Sequence, residues 1–207
     1  MADLKGFVLS FLFCLLLQCA PSLQAEAMVF VADYSGHAIS MADFSSDSLD
    51  SITFDALPFS SVRYPMGIDY DPDTRMVYWT EYSGSGSIRR ANINGSMQSV
   101  IVDSTNARYS MDLALDTSRG KVFWTDNNQN RIMSANLNGS SQQIIINTDL
   151  FYPCGIIVHK EKGVMFWTDY YYDRIERANL DGGDRNVIVS SGLSYPSGLE
   201  FNANGKD

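Results

Sequence analysis

The chain has 207 residues, of which 45% are hydrophobic, and its 24 acidic side chains outnumber 15 basic ones to give a net charge of −9. The acidic charge is concentrated early, because residues 28–75 hold eight aspartates against only Arg63 and Arg75. This balance excludes nucleic acid and anionic lipid as preferred partners and favours a basic protein surface. The length is sufficient for one domain with a substantial core.

Residues 1–27 predict a cleaved signal peptide. Lys5 precedes the apolar run GFVLSFLFCLLLQC, which is far shorter than the ~20 residues of a membrane-spanning helix. Small residues follow at Ala25 and Ala27, which favour cleavage after Ala27 with Ala25 as an alternative cleavage point. The mature protein is therefore expected to be residues 28–207, exported through the secretory pathway. An uncleaved anchor is the alternative interpretation.

Cys154 is the only cysteine expected in the mature chain, since Cys14 and Cys19 belong to the signal peptide. An intramolecular disulfide is therefore excluded, and the protein is not a small module held together by disulfides. A single thiol in a secreted chain is either buried and inert or paired with another molecule, and we favour burial.

Four copies of one sequence pattern fill the mature chain. Trp79, Trp124 and Trp167 lie 45 and 43 residues apart, in MVYWTEYSGSGSIRRANINGS, KVFWTDNNQNRIMSANLNGS and VMFWTDYYYDRIERANLDGG. A degenerate first copy, MVFVADYSGHAISMADFSS, has Val31 in place of the tryptophan. The approximate repeat boundaries are 28–75, 76–120, 121–163 and 164–207.

Each copy predicts four short strands. An aromatic strand and an alternating strand are followed by an apolar triplet, at residues 52–54, 100–102, 144–146 and 187–189. A Tyr-x-x-Gly-like segment then leads into another alternating strand, beginning at Tyr64, Tyr109, Tyr152 and Tyr195. The dipeptides Asn94-Gly95, Asn138-Gly139 and Asp181-Gly182 predict tight type I′ hairpins. Four strands per repeat of this length predict an all-β propeller.

The aromatic-Trp-Thr-Asp tetrapeptide, the Arg-Ile strand and the Asx-Gly turn together resemble the YWTD repeat of the low-density lipoprotein receptor class B family. The resemblance covers residues 28–207. It implies a six-bladed YWTD-type β-propeller, of which this chain holds about four four-stranded blades. The next aromatic-Trp-Thr-Asp would begin shortly after residue 207, so we expect the sequence to be a fragment of a larger receptor.

The repeated polar residues predict architecture rather than catalysis. The pairs Asp126/Arg131 and Asp169/Arg174 recur at one spacing in separate copies, whereas a catalytic dyad is needed once per site. We therefore assign structural roles to the residues of the repeated motif: Trp79, Thr80, Trp124, Thr125, Asp126, Arg131, Trp167, Thr168, Asp169 and Arg174.

The sequence predicts neither an enzyme nor a metal or cofactor site. The segment DYDPDTRMVYWT at 69–80 imitates an EF-hand loop, but Thr74 and Thr80 replace the required glycine and glutamate. His37 and His159 lie far apart, with no metal-ligand spacing around them. No nucleophile elbow, phosphate-binding loop or Cys-x-x-Cys is present.

The aromatic and charged residues outside the repeated motif predict a face that binds a protein ligand. In propeller order, the loops after each tetrapeptide and those leading into the next blade share one face. Tyrosines with nearby charge are typical of protein hot spots, although any one of them could instead pack at the hub. The candidate residues are Arg63, Tyr64, Glu81, Tyr82, Arg108, Tyr109, Asn127, Asn128, Phe151, Tyr152, Tyr170, Tyr171, Tyr172 and Asp173.

Two Asx-Gly turns are also N-glycosylation sequons, at Asn94-Gly95-Ser96 and Asn138-Gly139-Ser140. These turns are expected on the opposite face from the tyrosines. Glycans there would leave the tyrosine-rich face free.

The resemblance implies a non-catalytic, extracellular ligand-binding propeller of a low-density lipoprotein receptor-related protein. Its full-length parent would be anchored by a single membrane span, with no direct membrane contact by this segment, or the protein would be secreted if the chain is complete. A propeller directly after the signal peptide resembles the Wnt co-receptors, which implies Wnt or Wnt-antagonist proteins as ligands. The third positions of the Tyr-x-x-Gly segments depart from that pattern, since peptide-binding relatives often carry asparagine there; here they are Met66, Met111, Cys154 and Ser197. The alternatives are a nidogen-like matrix adhesion module and a calcium-dependent hydrolase-type propeller.

Overall fold

A computed structural model describes residues 28–43 and 52–201, and the regular structure in those ranges is β-strand throughout. The predicted signal peptide lies outside these residues. The strands are β1 (Met28–Asp33), β2 (Ala38–Asp43), β3 (Asp55–Ala56), β4 (Pro65–Asp71), β5 (Met76–Glu81), β6 (Ile88–Asn92), β7 (Ser99–Val102), β8 (Ser110–Asp116), β9 (Lys121–Asp126), β10 (Arg131–Asn136), β11 (Gln143–Ile146), β12 (Pro153–His159), β13 (Val164–Asp169), β14 (Arg174–Asn179) and β15 (Asn186–Val189). Across these two ranges, no helix has the length and apolarity needed to cross a bilayer.

The strands form four antiparallel sheets in which each strand pairs with the next one along the chain. We call them blade I (β1–β3), blade II (β4–β7), blade III (β8–β11) and blade IV (β12–β15). Blades II to IV have the predicted four strands. Blade I has three within the described residues, because the alternating segment of the first copy pairs with the aromatic strand of the second, Asp69 opposite Tyr78. The sheets therefore straddle the repeat boundaries drawn from the sequence.

The blades stand side by side, with the first strands of blades II to IV at the centre. The inner strands β4, β8 and β12 pack against one another in that order, and β1 packs against β4. The outer strands face solvent: Val100, Ile144 and Val187 are each about half exposed. In blade I the predicted outer triplet at residues 52–54 is not strand, and the short outer strand β3 follows it instead.

Aromatic side chains fill the spaces between blades. Trp79, Trp124 and Trp167 are completely buried, each in the core shared with the preceding blade. The residue before each tryptophan points the other way, as alternation in a strand requires. Tyr78 and Phe123 are accordingly buried against the following blade. Truncating such a buried aromatic side chain costs about 3–5 kcal/mol, so the repeated aromatic-Trp pair holds neighbouring blades together.

The Asx-Gly turns are longer than the predicted type I′ hairpins. Asn92 and Ser99 flank a six-residue loop, residues 93–98, whose Gly95 has φ of +84° while Asn94 is not among the residues of positive φ. A type I′ turn would need positive φ at both central positions, so that prediction was wrong. The glycine is also required by a close approach: a Cβ on Gly139 would lie 1.9 Å from the Ile101 carbonyl oxygen of the preceding blade.

Candidate functional site

The antiparallel order places the tyrosine-bearing loops and the Asx-Gly turns at opposite ends of each blade. At one end, the amide of Tyr82 donates a hydrogen bond to the carbonyl of Tyr64 (2.9 Å), so the loop after the aromatic strand lies beside the segment leading into the inner strand. At the other end, the amide of Ile93 donates to the carbonyl of Arg75 (3.1 Å). We call these ends the tyrosine face and the turn face.

The threonine of each of the three complete tetrapeptides joins the inner strand of its own blade to the next Tyr-x-x-Gly segment along the chain. Thr125 Oγ1 accepts a hydrogen bond from the Asp112 amide (3.2 Å) and donates one to the Cys154 carbonyl of the next blade (2.6 Å). The same two contacts are made by Thr80 with Gly67 and Met111, and by Thr168 with Gly155 and Ser197. The carbonyls bound in this way belong to the third residues of the Tyr-x-x-Gly segments, so the threonines fix the positions of those residues.

The acidic residue of the tetrapeptide binds the loops of the tyrosine face. Asp126 accepts hydrogen bonds from the Gln129 amide (3.1 Å) and from Arg131 Nε (2.9 Å). Burial raises the pKa of the Asp126 carboxyl, although Arg131 acts in the opposite direction. All these contacts lie within one blade, which gives this carboxylate a structural role.

The corresponding pair in blade IV is looser. Arg174 Nη2 lies 3.8 Å from the Asp169 carboxylate but 3.0 Å from Glu176 and 3.1 Å from Asp149. Glu176 occupies the strand position of Met133 in blade III, so it offers the arginine a second carboxylate that blade III lacks. The equal spacing in sequence therefore does not produce equal pairing.

A cavity of about 390 Å³ opens at the centre of the tyrosine face. Its wall is built mainly from tyrosines and from the third residues of the Tyr-x-x-Gly segments. The lining residues are Tyr34, Met66, Tyr82, Met111, Tyr152, Cys154, Tyr170, Tyr171 and Ser197. The inner strands of successive blades thus contribute equivalent positions to one wall.

Two tyrosine hydroxyl groups of the cavity wall are hydrogen-bonded to each other. The hydroxyl groups of Tyr82 and Tyr152 lie 3.0 Å apart, and Asn127 Nδ2 donates to the Tyr82 hydroxyl (3.4 Å). Burial, followed by this hydroxyl contact, raises the pKa of Tyr152 above its ordinary value. Cys154 is a buried free thiol, and burial, together with the charges of nearby carboxylates, raises its pKa to about 12. The thiol is therefore neutral, as expected for a buried, inert cysteine.

The cavity continues into an exposed aromatic surface on blade IV. Phe151, Tyr171, Tyr172 and Tyr195 are each about half exposed. The ring centroids of Phe151 and Tyr171 lie 4.8 Å apart, and the Arg174 guanidinium lies 4.6 Å from the centre of the Tyr172 ring. Because Tyr171 also lines the cavity, cavity and surface form one continuous region.

A second cavity of about 200 Å³ lies along the inner strands, and the carboxylates of Asp69, Asp112 and Glu200 line it. Asp112 accepts hydrogen bonds from the amides of Leu113 (2.9 Å) and, across the blade junction, Ile156 (3.0 Å). Burial raises the pKa of Asp112 to about 7 and that of Asp69 to about 6. The negative charge of Glu200 raises both pKa values further, whereas the positive charge of Lys160 lowers the pKa of Asp69.

Comparison with known sequences assigns the repeats. The sequence model of the low-density lipoprotein receptor repeat class B family matches residues 120–160 and 163–199. These repeats are low-density lipoprotein receptor class B repeats. Nidogen-2 of Mus musculus is 34% identical over 83 residues, which are 40% of this chain and 6% of that protein. Low-density lipoprotein receptor-related protein 5 of Homo sapiens is 38% identical over 107 residues, which are 50% of this chain and 6% of that protein.

Comparison with solved structures assigns the fold. A crystal structure of a nidogen/laminin complex matches with a TM-score of 0.74 and 26% identity, over 86% of this chain and 66% of that chain. A virginiamycin B lyase of Staphylococcus aureus matches with a TM-score of 0.64 at 18% identity, over 86% of this chain and 57% of that chain. The lyase likeness shows the fold alone. The chain is an all-β YWTD-type propeller domain that spans a small part of its nidogen-2 and receptor-related relatives.

Several of the residues that the sequence placed on the ligand face of this YWTD propeller line the cavity or its rim. Tyr109 packs edge-on against Tyr82, with centroids 5.2 Å apart, and Tyr64 remains 40% exposed beside His37. Arg63, Arg108 and Asn128 are exposed at the same end, and Asp173 is half buried.

Two predicted ligand-face residues are buried and already engaged. Glu81 is 3% exposed, and its carboxylate binds the Arg63 amide (3.0 Å) and Arg89 Nε (3.1 Å). Asn127 is 4% exposed and bound to Tyr82. Both side chains shape the YWTD blades and are not available to a ligand.

Sequence reasoning did not place Tyr34 or Tyr195 on the ligand face. Tyr34 follows the degenerate tetrapeptide of the first copy, and Tyr195 begins the fourth Tyr-x-x-Gly segment, so alignment of the YWTD repeats could have found both. In the sequence, Met66 and Met111 stand out only as departures from a family pattern. Their side chains form the apolar part of the cavity wall.

Proposed function

We propose that this chain is a non-catalytic, extracellular protein-binding propeller that contacts its ligand through the tyrosine face. The observation that carries the proposal is the aromatic region that runs from the central cavity through Tyr171 to Phe151, Tyr172 and Tyr195. A pocket surrounded by half-exposed tyrosine rings is the usual composition of a protein-interface hot spot. The net charge of −9 favours a ligand with a basic surface.

The first candidate is the ectodomain of a low-density lipoprotein receptor-related protein whose full-length parent is membrane-anchored. Its 38% identity to low-density lipoprotein receptor-related protein 5 over half of the chain supports this candidate. Within it, we propose Wnt or Wnt-antagonist proteins as ligands. The third-position residues, among them Met66 and Met111, would give such a ligand an apolar contact where peptide-binding relatives often carry asparagine.

The second candidate is a matrix adhesion module. Its support is the likeness to nidogen-2 in sequence and to nidogen in complex with laminin in structure. In this candidate the tyrosine face would bind a laminin-like partner. Both candidates use the same face and differ in the partner.

A surface plasmon resonance experiment tests the proposal. The immobilised chain is exposed to laminin, to a Wnt protein and to a Wnt antagonist, with serum albumin as the reference. We expect saturable binding of at least one of the three, with laminin alone selecting the adhesion module. Binding of none of the three would contradict the proposal. A hydrolase-type propeller would instead melt at a lower temperature after chelation of calcium, and we expect no such change.

A further inference from the structure

The central cavity of the tyrosine face is aromatic and lacks a cation. Among the nine described residues that line it, five are tyrosines and none is positively charged. Arg174, a nearby cation, lies over the Tyr172 ring, outside the cavity lining, and is paired with Glu176 and Asp149. The volume of about 390 Å³ is within the range of pockets that enclose a small ligand group.

Three of the tyrosine rings stand at steep angles to one another. Tyr170 and Tyr171 are inclined by 84°, Tyr152 and Tyr171 by 77°, and Tyr152 and Tyr170 by 52°, with centroids 5.0–5.5 Å apart. The face of an aromatic ring is negative and its edge positive. Tyrosine rings of different orientation that line one cavity can offer a ring face to a bound cation, as the rings of an aromatic cage do.

The Asp169 carboxylate behind the cavity wall adds a negative field. The pKa of the Cys154 thiol, which lines the cavity, is raised by burial and then by the charges of Asp112 and Asp169. A field that opposes a negative charge at this wall favours a positive charge at the same place. The net charge of −9 acts in the same direction.

We propose that the central cavity binds a cationic side chain, a lysine or arginine of the protein ligand, through cation–π contacts with Tyr152, Tyr170 and Tyr171. The inference rests on the proposed function, because it names the group by which the ligand is anchored. An apolar side chain would fit the same volume but would gain nothing from the negative ring faces or from the field of Asp169. Binding of a cationic side chain should therefore depend on its charge, whereas binding of an apolar side chain of the same size should not.

Two small probes of nearly equal shape separate these occupants. Choline carries a quaternary ammonium group, and 3,3-dimethylbutan-1-ol is its uncharged carbon analogue. Binding of each to the intact chain is followed by methyl NMR of Met66 and Met111, which line the cavity. We expect choline to shift both methyl signals saturably and to bind about tenfold more tightly than the alcohol. Equal affinity for the two probes, or no effect of choline, would overturn the inference.

Substitution of Tyr171 gives a second test on a half-exposed ring whose replacement leaves the core intact. Tyr171→Phe keeps the aromatic face and should retain choline binding. Tyr171→Leu keeps an apolar side chain without a π face and should weaken choline binding about fivefold or more. Unchanged choline binding in Tyr171→Leu would contradict cation–π recognition, provided that circular dichroism shows both variants folded.

The outcomes separate this inference from the proposed function. Protein binding without choline binding would remove the cationic anchor and leave the protein-binding face in place. Choline binding without binding of laminin, a Wnt protein or a Wnt antagonist would leave a cation site and remove the proposed function.

Discussion

The hydroxyl groups of Tyr82 and Tyr152 lie 3.0 Å apart, although 70 residues separate them in the chain. Tyr82 follows the aromatic strand of blade II, and Tyr152 leads into the inner strand of blade IV. Their contact spans the loop region of blade III at the centre of the tyrosine face. Loops of separate blades are therefore joined into one cavity wall, and the binding region depends on the relative positions of the blades.

The threonine bridge should stabilise the relative positions of the blades measurably. Thr125→Val keeps the side-chain shape but removes the acceptor for the Asp112 amide and the donor to the Cys154 carbonyl. Because both groups are buried, we expect the free energy of unfolding to fall by about 1–3 kcal/mol in urea denaturation. The exposed Thr105→Val is the control and should change stability by less than about 0.5 kcal/mol. Equal effects of the two substitutions would contradict the bridging role.

The close approach at the turn face predicts that two glycines, both of positive φ, differ in the stability lost when each is replaced by alanine. Gly120 and Gly139 have φ of +65° and +85°, but a Cβ on Gly120 would meet nothing within 4 Å, whereas one on Gly139 would meet the Ile101 carbonyl. Gly120→Ala should cost about 1–2 kcal/mol through backbone strain alone. Gly139→Ala should cost at least twice as much in the same denaturation experiment. A similar loss for both variants would show that the blades are not in contact there.

Stability should depend on pH through the buried carboxylates of the inner strands. The pKa of Asp112 is raised to about 7 and that of Asp69 to about 6, so between roughly pH 4 and 7 the folded chain binds more protons than the unfolded chain. Their contribution to stability is therefore complete below pH 4 and lost as pH rises through 6 and 7. We expect the free energy of unfolding to fall by on the order of 1 kcal/mol per pH unit over this range.

Asp112→Asn removes one of these titrating groups. Urea denaturation between pH 5 and pH 8 should give a flatter profile for this variant than for the unmodified chain, even if the variant is less stable overall. The exposed Asp55→Asn is the control and should preserve the original profile. A profile of Asp112→Asn parallel to that of the unmodified chain would contradict the assignment.

The sequons predict two glycans on the turn face. Asn94 and Asn138 are exposed, on loops that lie at the end opposite the tyrosines. After expression in secretory cells, Asn94→Gln and Asn138→Gln should each lower the intact mass by one glycan, whereas Asn186→Gln should not. Mass spectrometry that finds both sequons unmodified would contradict this prediction. Removal of either glycan should leave protein binding unchanged.

The repeated features could be predicted from the sequence because each blade buries the same residue types in the same contacts. Trp124 and Thr125 recur in two other blades, and their burial at blade junctions follows from alternation in an aromatic strand. The four-stranded blade follows from the number of strand-like segments per repeat. Local periodicity is sufficient for these conclusions, since the contacts involved are equivalent in every blade.

The features specific to one blade could not be predicted in this way. The loose pairing of Arg174 with Asp169 depends on Glu176, whose effect appears only when its position in the strand is known. The cavity likewise depends on side chains from several blades that are distant in sequence. Glu81 resembles a surface carboxylate in the sequence and is buried because three donors surround it.

The most direct test of the protein-binding face compares variants at the two ends of the propeller. Tyr171→Ala and Phe151→Ala truncate half-exposed rings on the tyrosine face, and Met97→Ala truncates a 71% exposed side chain on the turn face. Dissociation constants are measured by surface plasmon resonance against whichever of laminin, the Wnt protein or the Wnt antagonist the unmodified chain binds. We expect each tyrosine-face variant to weaken binding about tenfold or more and Met97→Ala to leave it unchanged. Weakened binding in Met97→Ala together with unchanged binding in Tyr171→Ala and Phe151→Ala would contradict the account.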